Sequence, residues 1–122
     1  MNLCVLLGAQ KIVYATTAFT LAWTHSVEKT RWEEDWRITP RGLEIVEARV
    51  EGTGAGMEIP PGARFDGRYW HYHPTLPAQT SLALARSGMT GGSWQVCFAG
   101  SCHDMPETAA ETEAPAVLSG CP

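Results

Sequence analysis

A chain of 122 residues is long enough to fold as one domain around its own core. Its formal net charge is −4, from 9 Lys and Arg against 13 Asp and Glu, and its arginines are scattered. That balance argues against a nucleic-acid footprint, and no run approaches the roughly 18 apolar residues of a membrane span. The 12 Gly, 8 Pro and five Trp suit short strands joined by turns better than long helices.

In chain order, "LCVLL" and "KIVYA" are β-prone runs on either side of "GAQ", the pattern of a first hairpin. The start "MNLCVLLGAQK" has no basic region ahead of a short apolar run, so it does not read as a signal peptide. "AFTLAWTH" then alternates with period two: Phe19, Leu21, Trp23 and His25 share one face. In "EEDWRI", Glu34, Trp36 and Ile38 share a face opposite Glu33, Asp35 and Arg37. "LEIVEARV" is a strand by its Ile and Val content, but of mixed facing.

"EGTGAGMEIPPGARFDG" carries too many Gly and Pro for regular structure and reads as a long loop, a common place for function. "RYWHYH" follows the Asp66-Gly67 turn signal as a strand, with Trp70 and Tyr72 opposite Tyr69, His71 and His73. "TSLALAR", "SWQVCF" and "CHDM" read as further strands, the last two as a hairpin around "FAGS". The expected fold is an all-β, compact antiparallel sandwich or small barrel of about eight short strands. The expected division is a single domain over 1–105 and a mobile Ala/Glu/Pro-rich tail over 106–122, with Val117 and Leu118 as the residues able to dock.

Four cysteines allow three pairing schemes. Cys97 and Cys102 flank a tight turn and could face each other, while Cys4 and Cys121 could tie the termini together. Their spacing is not the C-x-x-C of redox or zinc sites. Paired cysteines favour an oxidising compartment, whereas the missing signal peptide points to the cytoplasm.

His25 at the end of an apolar face is either a ligand or proton carrier oriented by Glu28 or Glu34, or a core-edge residue satisfied by a carboxylate. The structural role is the commoner one, and the expectation is that a carboxylate from "EKTRWEED" approaches His25. Ser26 beside it points to the opposite strand face, and no G-x-S-x-G elbow occurs. His71 and His73, two apart on a strand, are weak metal candidates that need further ligands such as His103. Gly52, Gly54 and Gly56 in "GTGAGM" fit no phosphate-loop pattern. Such a loop can hold a carboxylate in a backbone nest, but a purely conformational role is the simpler reading. No cofactor motif is present.

Together, "FTLAWTHSVEKTRWEEDWRI", "EARVEGTGAGME" and "DGRYWHYHPTLP" resemble an uncharacterised small bacterial family with an "HSVEKT-x-x-EE" core and a "GxGAGM" loop. The resemblance runs from about Cys4 to Met105. Genes of that family commonly lie beside those of TAXI-type TRAP transporters, and its members often carry an N-terminal leader or membrane segment. It therefore implies a periplasmic setting and transporter components as partners. The matching residues His25, Ser26, Glu28, Glu33, Glu34, Gly54, Gly56, Met57, Gly67 and Trp70 become the site candidates. The expected function is a non-enzymatic accessory or binding domain of a TAXI-type uptake system. The alternatives are a small-ligand or metal-binding protein using His25 and nearby carboxylates, and a small hydrolase-like enzyme with His25 as general base.

Overall fold

The computed structural model describes residues 1–24, 30–52, 61–84, 94–105 and 115–122. Among them are eleven strands and no helix. They are β1 (Asn2–Leu7), β2 (Gln10–Tyr14), β3 (Ala18–Thr24), β4 (Arg31–Thr39), β5 (Gly42–Glu51) and β6 (Arg64–Phe65). The others are β7 (Tyr69–Tyr72), β8 (Leu82–Leu84), β9 (Gln95–Phe98), β10 (Ser101–Asp104) and β11 (Ala116–Cys121).

The strands form two antiparallel sheets that pack as a sandwich, not a closed barrel. The smaller has the order β2-β1-β11-β8, and the larger β10-β9-β3-β4-β5-β7-β6. Period-two alternation explains which side chains meet between them. Leu3, Val5 and Leu7 of β1 and Ala116 and Leu118 of β11 come from one sheet. Phe19 and Leu21 of β3, Trp36 and Ile38 of β4, Leu43 of β5 and Val96 of β9 come from the other. The two antiparallel faces that alternation makes apolar are the two that are buried.

Two tight turns show how local sequence fixes register. Leu7 pairs with Gln10 across Gly8-Ala9, which closes the expected first hairpin with Gly8 at φ 64°. Thr39 pairs with Gly42 across Pro40-Arg41. Gly42 has φ +123°, and a Cβ there would lie 2.4 Å from the Gln79 carbonyl oxygen. That carbonyl accepts the Leu43 amide at 2.7 Å, so only glycine lets the two chains approach so closely.

One expectation needs correction, and another finds its physical cause. Residues 106–114 lie outside the described residues, but the end of the expected tail is not mobile chain: β11 is a central strand of the smaller sheet. It pairs with β1 along its whole length, Leu7↔Ala116 to Asn2↔Cys121, and buries Ala116 and Leu118 completely. Leu118, one of the two residues able to dock, is the anchor. The mixed facing of "LEIVEARV" is a β-bulge: Trp36 pairs with Ile45 but Asp35 with Glu47, so Val46 is the extra residue. The bulge lets Leu43 and Ile45 face the core before it and Ala48 and Val50 after it. It also turns Glu47, Arg49 and Glu51 together onto the outer face.

Candidate functional site

The larger sheet has two chemically different faces, and β4 divides the candidates between them. Outward alternation places Glu33 and Asp35 beside Glu47 and Arg49 of β5, because Glu33 pairs with Arg49 and Asp35 with Glu47. Arg49 is the hub. Its Nε donates to Glu33 Oε1 at 2.6 Å, its Nη1 to Asp35 Oδ2 at 2.8 Å and its Nη2 to Asp35 Oδ1 at 3.1 Å. Glu47 Oε1 lies 3.5 Å from Nη1. Thr20 donates to Asp35 Oδ1 at 2.6 Å, and Arg31 Nε donates to Glu33 Oε2 at 2.6 Å. The network continues through Arg31 Nη1 to Gln95 and from the Gln95 amide to Asp104.

Burial raises the carboxyls of Glu33 and Asp35, but charge-assisted hydrogen bonding outweighs it. Arg31 and Arg49 hold Glu33 below the usual carboxylate range, and Arg49 with Thr20 does the same for Asp35. The bond to Asp35 leads in raising Arg49, against its burial, with Glu33 adding to it.

His71 extends this face to the β6–β7 edge. Its Nδ1 lies 2.5 Å from Glu47 Oε1 and its Nε2 2.6 Å from Asp66 Oδ2. A neutral imidazole has one N–H, so only the imidazolium donates to both carboxylates. Glu47 first and Asp66 second raise His71 above its ordinary value. Asp66 also accepts the amides of Tyr69 and Arg68 at 2.7 and 2.9 Å, which fixes the β6–β7 turn. The Tyr69 amide leads in holding its carboxyl well below the usual range, followed by His71. His73 Nδ1 lies 3.0 Å from the Val46 carbonyl oxygen, at the bulge. Among the described residues no group of three or more His, Cys, Asp or Glu is placed to hold a metal ion.

The opposite face carries a row of large side chains across the sheet. Trp23 pairs with Trp32, Trp32 with Val50, Val50 with Trp70, and Trp70 with Phe65. Trp23 stacks on Trp32 with ring centroids 6.1 Å apart and also meets Trp94 at 4.7 Å. Phe65 packs on Trp70 at 5.0 Å and stays 45% exposed at the sheet edge. The Nε1 atoms of Trp32 and Trp70 are buried and have no hydrogen-bond partner among the described residues. One row further along, Glu34 lies between Leu21 and Ala48. It accepts from Trp36 Nε1 at 3.2 Å, and burial raises its carboxyl. Arg64, Phe65, Asp66 and His71 line a cleft of about 510 Å³ where the two faces meet.

The structure divides the site candidates between the two faces, as the alternation of β4 leads one to expect. Glu33 belongs to the charged face, while Glu34 and Trp70 belong to the aromatic one. His25, Ser26, Glu28, Gly54, Gly56 and Met57 lie outside the described residues, and with them the expected contact of His25 with a carboxylate. The described histidine–carboxylate contact is at His71. Arg49 was not singled out in the sequence, although Glu47, Arg49 and Glu51 alternate there as one charged face, and Asp66 was read as a turn residue and not as a partner of His71. Both cysteine pairings are present: Cys4–Cys121 with Cα atoms 5.9 Å apart, and Cys97–Cys102 with 4.0 Å. The second span is short because Cys97 and Cys102 are directly opposed in register.

Among the described residues no helix is long and apolar enough to cross a membrane. No curated protein and no solved structure matches the chain. Residues 19–105, from the second residue of β3 to just past β10, match a family described as a domain of unknown function (DUF1850). That match spans the larger sheet apart from Ala18, with its charged face, aromatic row and edge cleft, and the chain accordingly belongs to the DUF1850 family.

Proposed function

We propose that this chain is a non-enzymatic binding domain that serves a TAXI-type TRAP solute-uptake system by contacting one of its protein components. The observation that carries a binding role is the Phe65–Trp70 pair: Phe65 is 45% exposed at a sheet edge and backed by an indole at 5.0 Å. Around it stand Arg64, Asp66 and His71 of the edge cleft. An aromatic anchor with a charged rim is the anatomy of interface hot spots. The transporter assignment rests on the family resemblance in "HSVEKT" and "GTGAGM". Two disulfides support an extracytoplasmic setting, where such a system binds its solute.

The test is affinity capture from the native host with tagged domain, in parallel with Phe65→Ser. Recovery of TRAP components by the wild type and their loss in the variant supports the reading. Equal recovery by both places the contact elsewhere, and absence of TRAP components from both removes the transporter role.

A second reading, a site for a small ligand, is favoured by the Nε1 donors of Trp32 and Trp70 in one cross-strand row, which have no partner among the described residues. A ligand oxygen accepting from either donor would satisfy a buried polar group. Tryptophan fluorescence during titration with organic acids tests it; saturable quenching is the expected result, and a flat response removes it.

A further inference from the structure

We propose that Cys97–Cys102 is a reducible site that undergoes thiol–disulfide exchange with a dithiol protein while the domain stays folded. The chain contains its own comparison. Cys4–Cys121 joins two paired strands of the smaller sheet across a sequence separation of 117, and Cys4 is 2% exposed. Cys97–Cys102 closes a separation of only 5, at the outer edge of the larger sheet. Cys102 is exposed, as is every residue of β10, and Cys97 is half-buried.

Access makes the two bonds kinetically unequal, because exchange needs an incoming thiolate to reach a sulfur, and Cys102 is exposed where Cys4 is buried. Loop closure bears on the fold instead. A bridge of span 5 restrains the unfolded chain far less than one of span 117, so opening it costs little stability and the domain stays folded.

The reaction balances as two displacements. A thiolate of the dithiol attacks the Cys102 sulfur, the Cys97–Cys102 bond breaks, and Cys97 leaves as a thiolate that takes up a proton. The partner's second thiol, once deprotonated, attacks the mixed disulfide and releases Cys102 as a thiolate that is also protonated. Two electrons and two protons pass to the chain, and the partner becomes a disulfide.

The consequence lies in the hairpin. Its two turn residues, Ala99 and Gly100, have φ of 51° and 81°, and a non-glycine residue in that region is disfavoured. Among the described residues β10 pairs only with β9, and the Gln95 side chain donates to Asp104 at 2.9 Å. Opening the bridge loosens β10. It also alters the cleft of about 380 Å³ in which residues 97–102 face Arg31, Glu33 and Arg49.

The test incubates the folded chain with reduced dithiothreitol for graded times, quenches with acid, alkylates and maps the cysteines by mass spectrometry. Cys97 and Cys102 are expected to be alkylated well before Cys4 and Cys121, with the circular dichroism spectrum retained. Simultaneous opening of both bridges, prior opening of Cys4–Cys121, or opening only on unfolding overturns the proposal. The double variant Cys97→Ala/Cys102→Ala is expected to fold, and failure to fold overturns it as well. A dithiol protein lacking its second cysteine is expected to be trapped on Cys102. Trapping on Cys97 alone overturns the stated order of attack.

Discussion

Glu33 and Glu34, adjacent in the chain, project from opposite faces of β4: Glu33 accepts from Arg31 and Arg49, whereas Glu34 accepts from the Trp36 indole on the core side. The same substitution therefore has opposite effects at the two positions. Burial raises the Glu34 carboxyl, so the fold disfavours its ionised form. That penalty is absent below the unfolded carboxyl value and complete above the folded one. Glu34→Gln is expected to raise the melting temperature at pH 7 and to leave it unchanged near pH 3. Glu33→Gln, which removes the charge facing two arginines, is expected to cost about 1–2 kcal/mol at pH 7. Thermal melts of both variants at the two pH values check this.

Arg49 is the second test of the charged face. Arg49→Met keeps an apolar stem but leaves Glu33 and Asp35 without their shared guanidinium. The expected loss is about 2–3 kcal/mol, less than for a fully buried pair because Asp35 is 35% exposed. Urea denaturation reads it directly. A double-mutant cycle with Asp35→Asn is expected to show strong coupling, about 1–2 kcal/mol.

His71 makes the β6–β7 edge sensitive to pH. Its folded value is raised, so its contribution to stability is fully present below the unfolded histidine value and is lost as pH rises through the folded one. Asp66 works in the opposite sense: its folded value is depressed, so its contribution is present above the ordinary aspartate range and is lost as pH falls toward the folded value. Glu47, Arg49 and Asp35 are the neighbouring charges on the same face. Amide exchange at Tyr69–Tyr72 is expected to accelerate as pH rises through the His71 titration, once the intrinsic pH dependence of exchange is removed. In His71→Gln that added acceleration is expected to vanish.

The legible parts of the fold were those in which alternation runs unbroken. Phe19, Leu21 and Trp23 on β3, and Glu34, Trp36 and Ile38 on β4, need only period two to assign their face. β5 needs more, because the extra residue Val46 flips the alternation midway and no local composition marks it. Without the bulge in view, Arg49 cannot be placed among Glu33, Asp35 and Glu47. β11 was hidden by its small residues, Ala116, Ser119 and Gly120. Gly120 is small for a reason: a Cβ there would lie 2.8 Å from Ile38 Cγ2. A signal for β11 was nonetheless present, since a bridge from Cys121 to Cys4 requires the end of the chain to lie beside β1. Pairing of His71 with Glu47, a separation of 24, depends on β5–β7 register that the intervening loop conceals.

The integral position of β11 gives a direct stability test. Leu118 is fully buried between the sheets. Leu118→Ala is expected to cost about 2–5 kcal/mol. Val117→Ala, on the alternate face, is expected to cost well under half of that. Chemical denaturation separates a central strand from a dispensable tail.

The binding role itself is tested most directly by titrating the purified domain into the purified extracytoplasmic binding protein of a TAXI-type system from the same host, followed by calorimetry. Saturable binding is expected, with Phe65→Ser at least about tenfold weaker, as befits loss of an aromatic anchor. No binding to that protein or to the membrane components, or binding that Phe65→Ser leaves unchanged, would contradict the account.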